Sequence, residues 1–138
     1  MLVAQLSKLA IMKTKLESWA TKTEKNSKKK MIKVRTKNDP VLAEIKQRLN
    51  ETLGDNVERI ILFGSRARGD AHKDSDYDVL LLVKKHTKEL EDQVDDIAYE
   101  MLDRYGKLVN IFDSELAVYE KSKIDPLFLN IRREGVVL

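Results

Sequence analysis

The segment ERIILFGSRARGDAHKDSDYDVLLLV, residues 58–83, contains two apolar runs separated by a polar stretch rich in arginine and aspartate. The first run, within residues 57–64, is β-branched and apolar and ends at Gly64, which predicts a strand. The second run, residues 78–83, is apolar without interruption apart from its first aspartate. Because such strands are usually covered on both faces, we predict that residues 78–83 form a central strand.

The sequences before and after this segment both contain residues typical of helices. Asp39 and Pro40 combine a capping side chain with a proline suited to the first turn, and Gly54 suits the end of the helix that they begin. Residues 87–104 place apolar side chains on one face at helical spacing, and Gly106 follows them. We therefore predict one helix before the segment and one after it.

The remaining C-terminal residues predict shorter elements. KLVNIF, residues 107–112, predicts a third strand, and Ser114 and Pro126 are each placed to begin a short helix. Residues 136–138 predict a short terminal strand. The order of elements predicts an α+β (mixed α/β) fold, in which a small sheet is flanked by helices.

The N-terminal region differs in character from this domain. Its apolar residues recur at helical spacing and predict an amphipathic helix, which includes Leu2, Leu6, Leu9, Leu16 and Trp19. Residues 21–30 are polar and cationic and predict a linker. We divide the chain into an N-terminal helix with a basic linker, residues 1–37, and a domain, residues 38–138. The helix can pack on the domain or on another subunit, which would make a homo-oligomer.

Composition excludes several classes of function. The 138 residues include no cysteine, which excludes disulfides, a thiolate nucleophile and a cysteine zinc site. No apolar run approaches the roughly 20 residues that span a bilayer, and charges interrupt the N-terminus, so we expect no membrane association and a cytoplasmic location. The first 38 residues hold eleven basic and two acidic residues. Such an arm can contact nucleic acid, but with Trp19 as its one aromatic residue we favour a solvated tail.

Gly64 and Ser65, here called the glycine corner, follow directly where the first predicted strand ends. Glycine allows the backbone to approach a ligand closely, and serine adds a hydroxyl beside free backbone N–H groups. This corner suits a phosphate group. The same two residues also suit an ordinary turn.

Asp76 and Asp78 are two residues apart at the start of the second predicted strand, so both carboxylates should project from the same face. Two adjacent anions repel unless a cation lies between them, and Mg²⁺ or Mn²⁺ prefers such oxygen ligands. A metal site and a solvated acidic turn fit this spacing equally well.

Together, Gly64-Ser65, the ten intervening residues and Asp76-Tyr77-Asp78 between two apolar strands resemble the signature of the nucleotidyltransferase superfamily, which includes the polymerase-β-like enzymes. The short chain and the residues of the motif are most similar to those of the minimal nucleotidyltransferases of this superfamily. The resemblance implies that Gly64 and Ser65 hold nucleotide phosphates and that Asp76 and Asp78 are catalytic ligands of Mg²⁺ or Mn²⁺. Arg66 and Arg68, just past the corner, could neutralise phosphate charge or lie on a helix surface.

The sequence departs from the family pattern on the third strand. Active members commonly carry a third carboxylate there, whereas the matching position here is Asn110, which cannot accept a proton as a base. Asp113 is the nearest carboxylate, but strand alternation puts it on the opposite face. Nucleotide and metal binding are therefore better supported than turnover.

The resemblance implies an enzyme that transfers a nucleoside monophosphate from an NTP, with ATP expected, to an acceptor hydroxyl. Minimal members are often paired with a small helical HEPN protein in toxin–antitoxin modules, so that hydroxyl could belong to such a partner. The alternative is a catalytically weak or inactive nucleotide-binding module that acts by binding the helical partner, and Asn110 favours it.

Three other polar residues are less suited to chemistry. His72 lies between the glycine corner and the aspartates, where it could touch a phosphate, but an exposed loop histidine is the commoner case. His86 should precede a helix and have no chemical role. Tyr77 should point away from its aspartate neighbours and pack in the core.

Overall fold

A computed structural model describes residues 26–32 and 35–138. The chain forms two compact units, and the second, Ile32–Leu138, contains the whole sheet. Its elements, in chain order, are α1 (Pro40–Leu53), a 3₁₀ turn (Gly54–Asn56), β1 (Val57–Phe63), α2 (Ser65–Arg68), β2 (Tyr77–Val83), α3 (Lys88–Tyr105), β3 (Val109–Glu115), α4 (Leu116–Lys121), α5 (Pro126–Glu134) and β4 (Val136–Val137).

The four strands form one mixed sheet in the order β3-β2-β1-β4. β1 runs antiparallel to both β2 and β4, and β2 runs parallel to β3. The sheet is flanked by helices, as predicted, and the terminal strand is present although it is only two residues long.

Alternate side chains of β2 enter two different cores. Val79, Leu81 and Val83 pack with residues of α1 and α3 on one face of the sheet. Leu80 and Leu82 pack on the other face with Tyr119 and Ile131. Because the five are at most 1% exposed, the prediction of a central strand covered on both faces is confirmed.

The predicted helix ends are also present. The Asp39 carboxylate accepts hydrogen bonds from Val41 N at 2.9 Å and Leu42 N at 3.4 Å and so caps α1. Thr87 caps α3 through Leu90 N, and Gly106 ends that helix in the left-handed conformation. Each of these signals acts over only a few residues.

The third strand differs from the prediction in its bounds and in the residue that caps the next helix. β3 runs over Val109–Glu115 rather than residues 107–112, because Asp113, Ser114 and Glu115 continue the parallel pairing with β2. Ser114 is therefore a strand residue, and Glu115 occupies the cap position of α4 without a side-chain hydrogen bond. Polar side chains are tolerated here because β3 is an edge strand.

The N-terminal region differs from the prediction where the structure describes it. Residues 26–32 and 35–37 are helical, so the predicted linker is wrong for residues 26–30; lysine is a good helix former, and polarity alone does not exclude a helix. The predicted amphipathic helix of residues 2–19 lies outside the described residues. The division at residue 37 stays a prediction. Among the helices of the described ranges, none has the length and apolar character that a membrane crossing requires.

Candidate functional site

Gly64 lies between β1 and α2 and touches the start of β2. Its backbone has φ 74° and ψ −157°, and its neighbour Phe63 is paired with Asp78 in the β1–β2 register. A Cβ atom on Gly64 would lie 2.4 Å from Oδ2 of Asp78. The absence of a side chain at Gly64 therefore allows the carboxylate of Asp78 to reach the glycine corner.

The two aspartates occupy the beginning of β2 differently. Asp76 is exposed and immediately precedes the strand, which begins at Tyr77. Asp78 is partly buried and shares the strand face of Leu80 and Leu82. Tyr77 points into the opposite core, where it is 3% exposed, so its predicted packing role is confirmed.

Asn110 occupies the position beside Asp78 on the neighbouring strand. The two residues are partners in the parallel register, and Asn110 Nδ2 donates a hydrogen bond to Asp78 Oδ1 at 2.9 Å. Asp113 is three residues further along β3, where its carboxylate lies 2.8 Å from His86 Nε2. Within the described ranges, no three His, Cys, Asp or Glu side chains are grouped so as to hold a metal. Asn110 thus places an amide, rather than a third carboxylate, beside Asp78.

Arg66 holds the loop that leads to the aspartates. Its guanidinium donates to the carbonyl oxygen of Ser75 at 2.7 Å and 3.2 Å and reaches those of His72 and Lys73 at 3.5 Å and 3.4 Å. It also stacks on the Tyr77 ring, 3.9 Å from the centroid. In this conformation Arg66 positions the loop, and a direct contact with phosphate stays a prediction.

Tyr77 connects this loop to the first helix. Its hydroxyl donates to Asp39 Oδ2 at 2.7 Å, while Asp39 Oδ1 caps α1. Burial raises the pKa of the Tyr77 hydroxyl well above its ordinary value, and the hydrogen bond to Asp39 raises it further. Tyr77 thus stays protonated and ties the start of β2 to the start of α1.

Arg68 contacts Glu134, a residue that the sequence analysis did not identify as part of the site. Its guanidinium lies 3.3 Å from Asp70 Oδ2 and 3.3 Å from Glu134 Oε1. The same Glu134 oxygen accepts a hydrogen bond from the backbone N–H of Gly64 at 3.3 Å. Gly64 and Glu134 are 70 positions apart in the sequence. No local spacing could therefore have indicated their contact.

Both histidines lie where they were expected, and His86 also contacts two carboxylates. His72 is exposed in the loop, with its carbonyl near Arg66. His86 precedes α3, and its Nε2 lies near both Asp113 and Glu91. This pairing joins the start of α3 to β3 and is separate from the glycine corner.

An open cleft of about 630 Å³ lies on the Tyr77 side of β2. Its lining includes Asp39, Arg66, Lys73, Tyr77 and Lys107. Neither Gly64 nor the two aspartates line it. Because successive residues of a strand face opposite ways, this cleft and the Asp78 carboxylate lie on opposite faces of β2.

Comparison with protein families places most of the chain in one of them. The family model of the nucleotidyltransferase domain matches residues 42–137, which include β1, β2 and β3.

Two curated proteins of Methanocaldococcus jannaschii, both named provisionally as protein adenylyltransferases, are similar in sequence. One is 49% identical over 45 residues, covering 33% of this chain and 46% of the relative. The other is 35% identical over 94 residues, covering 66% of this chain and 64% of the relative. The chain therefore matches 46% of the length of the first relative and 64% of the length of the second.

Solved structures show the same fold. A chain in a crystal structure of a toxin–antitoxin complex with AMP-PNP matches with a TM-score of 0.54 and 19% identity, covering 69% of each chain. A chain in a mutant MntA–HpeT toxin–antitoxin complex matches with a TM-score of 0.52 and 16% identity, again covering 69% of each.

Proposed function

The chain belongs to the nucleotidyltransferase domain family, and from that premise we propose that it transfers a nucleoside monophosphate from an NTP, with ATP the expected donor, to a hydroxyl group of a partner protein. The acceptor oxygen attacks the α-phosphorus and forms a new P–O bond. The bond between the α-phosphorus and the bridging oxygen breaks, pyrophosphate leaves, and the hydroxyl proton passes to solvent.

One observation supports this proposal: the carboxylate of Asp78, one of the two aspartates, lies against the glycine corner. Gly64 and Asp78 belong to different elements, and their contact requires glycine at position 64. A phosphate chain bound at the Gly64 N–H would therefore lie next to the Asp78 carboxylate. That proximity is what a metal-assisted phosphoryl transfer needs.

The donor set at this position fits Mg²⁺ or Mn²⁺. Asp76 and Asp78 would hold the ion through carboxylate oxygens, which are hard ligands. Two carboxylates suffice because Mg²⁺ usually takes its other ligands from water and substrate phosphates. When bound, the ion would neutralise phosphate charge and favour attack by the acceptor oxygen. Asn110 holds Asp78 Oδ1 through its amide and so orients that carboxylate.

Asn110 also limits the proposed chemistry. An amide cannot take the proton from the acceptor hydroxyl, and Asp113 is occupied with His86 elsewhere on β3. We therefore infer slow transfer, in which neither Asn110 nor Asp113 acts as general base. This geometry also favours the second candidate function, a module that binds nucleotide and a helical partner without transfer.

The partner that we propose is a small helical HEPN toxin, with this chain as the antitoxin. The resemblance of the motif to minimal nucleotidyltransferases supports it. So do the names of the curated relatives, which describe protein adenylylation. Chains of this fold occur in toxin–antitoxin complexes, one of them with AMP-PNP.

A transfer assay tests the proposal. The purified protein is incubated with each labelled NTP, Mg²⁺ and the product of the neighbouring gene, and label on protein is measured. We expect transfer that is lost in Asp76→Asn and Asp78→Asn and retained in Asp74→Asn, which removes an exposed carboxylate from the same loop. Binding of Mg–NTP without transfer from any nucleotide would instead establish the binding module.

A further inference from the structure

The carboxylate of Glu134 occupies the donors that a phosphate would use. Its Oε1 atom accepts from the Gly64 N–H at 3.3 Å, and Arg68 Nη1 lies 3.3 Å and 3.4 Å from the two carboxylate oxygens. An anion thus already sits at the glycine corner, held by one backbone donor and one guanidinium. These are the groups expected to bind a nucleotide phosphate in the proposed function.

The C-terminal segment places Glu134 there. Glu134 is the last residue of α5, which is anchored by Ile131 at 1% exposure. Gly135 packs so closely on β1 that a Cβ atom would lie 2.7 Å from Ile61 Cγ2. β4 then pairs with β1. Gly135 and β4, which directly follow Glu134, are therefore fixed against β1, so the fold places the backbone of Glu134 near the end of β1.

The contacts of Glu134 are weak enough to be exchanged. Distances of 3.3 Å and 3.4 Å are beyond the usual range of charge-assisted hydrogen bonds. The carboxylate shares its neighbourhood with Asp78, which also contacts Gly64, so two anions lie at one corner. A third anion, the phosphate, could use the Gly64 N–H only after Glu134 has left it, since one N–H bonds one acceptor well.

We propose that Glu134 occupies the glycine corner until a nucleotide phosphate displaces it, and that this competition determines the affinity for the NTP. The proposal rests on the proposed function and names a further residue that controls binding at the same site. When the nucleotide binds, a phosphate oxygen replaces Glu134 at the Gly64 N–H. Arg68 exchanges Glu134 for phosphate while Asp70 keeps its other contact with the guanidinium.

The alternative is that Glu134 is only a structural tie between α5 and β1. The two roles predict opposite effects of removing its charge. A competitor, once neutralised, leaves the corner more readily and NTP binding becomes tighter. A structural tie, once weakened, lets the corner loosen and NTP binding becomes weaker.

The test compares the full-length protein with Glu134→Gln by calorimetric titration of a non-hydrolysable ATP analogue in Mg²⁺. We expect the dissociation constant to fall by roughly 3- to 10-fold, the size of effect that corresponds to the net strength of one ordinary hydrogen bond. Glu120→Gln is the control: it also removes one negative charge, from an exposed residue near Arg59 at the other end of β1, and should leave the constant unchanged.

Glu134→Ala, which removes the competing acceptor altogether, should bind at least as tightly as Glu134→Gln. Equal or weaker binding by both variants, with wild-type binding intact, would overturn the inference and leave the proposed function standing. If neither wild type nor either variant binds the analogue, the proposed function fails and the inference fails with it. Urea denaturation of each protein shows whether a change in affinity reflects a loss of stability.

Discussion

Gly64 has a backbone conformation that residues with a side chain rarely adopt. Its φ of 74° and ψ of −157° lie in a region that is essentially restricted to glycine. Its missing Cβ also leaves the space that Oδ2 of Asp78 fills. Two separate requirements, one of backbone and one of packing, therefore meet at this residue.

We predict that Gly64→Ala lowers the free energy of unfolding by more than the roughly 1–3 kcal/mol that such strain alone costs, because the new Cβ also meets Asp78. Urea denaturation measures the stability, and titration with Mg–ATP should show weakened binding. Gly54→Ala is the matched control, since Gly54 has φ 56° and ψ −130° but no atom within 4 Å of an added Cβ. Equal losses in the two variants would show that the Asp78 contact does not matter.

Asn110 is the residue where the site departs from the three-carboxylate pattern. We predict that Asn110→Asp accelerates transfer in the presence of Mg²⁺ by about tenfold or more, because a positioned general base typically contributes 10²–10⁴-fold. Single-turnover transfer from labelled NTP measures the rate. Asn110→Ala, which removes the hydrogen bond to Asp78 without supplying a base, should show no gain. A rate for Asn110→Asp at or below that of wild type would contradict this interpretation.

Among the elements, the loop between α2 and β2 is held by hydrogen bonds from side chains, of which Arg66 supplies several and Lys107 another. Arg66 donates to carbonyl oxygens along this loop and stacks on Tyr77, and no regular secondary structure holds the loop. The loop ends at Asp76, so its conformation sets where that carboxylate lies. Arg66 therefore affects the site through the loop.

We predict that Arg66→Lys destabilises the protein by about 1.5–3 kcal/mol, the usual contribution of hydrogen bonds from a charged group, and weakens Mg–NTP binding. Lysine keeps the positive charge but lacks the planar fork that spans several carbonyl oxygens. Hydrogen exchange should show faster exchange of the loop amides in residues 70–76. Unchanged exchange with weaker NTP binding would mean instead that Arg66 acts directly on phosphate.

At the largest scale, the sheet separates two hydrophobic cores, one on each of its faces. Tyr77 and Asp78 are adjacent in sequence yet belong to opposite faces, one to the α1–α3 core and one to the glycine corner. Stability and site geometry are thus linked at the first two residues of β2.

We predict that stability falls as the pH rises above about 10, the ordinary pKa of tyrosine. Burial, followed by the bond to Asp39, raises the pKa of folded Tyr77, so the folded state holds this proton more tightly. The resulting stabilisation is fully present below the unfolded pKa and is lost as the pH rises toward the folded one. Urea denaturation at several pH values should show a steeper fall for wild type than for Tyr77→Phe. Parallel curves would contradict the assignment.

Short-range patterns accounted for the elements and for the two halves of the candidate site. A cap, a glycine at a helix end and an alternating or continuous apolar run each act over a few residues, so Asp39, Gly106 and β2 could be predicted. The same holds for the Gly64-Ser65 corner at the end of β1, whereas the common strand face expected for Asp76 and Asp78 stays a prediction, because Asp76 lies just before β2. The bounds of β3 could not be predicted, because its polar end is held by pairing with β2.

The long-range neighbours depended on the packed fold. Asn110 meets Asp78 because β2 and β3 pair in one register, and Glu134 meets Gly64 because α5 and β4 fold back onto β1. Neither contact has a local signal in the sequence, because the partners are 32 and 70 residues apart. They come together only when the elements that carry them bury their apolar faces. The candidate residues for nucleotide chemistry could thus be predicted from the sequence alone, whereas the packing of strands and helices decided which groups, Asn110 and Glu134, contact them.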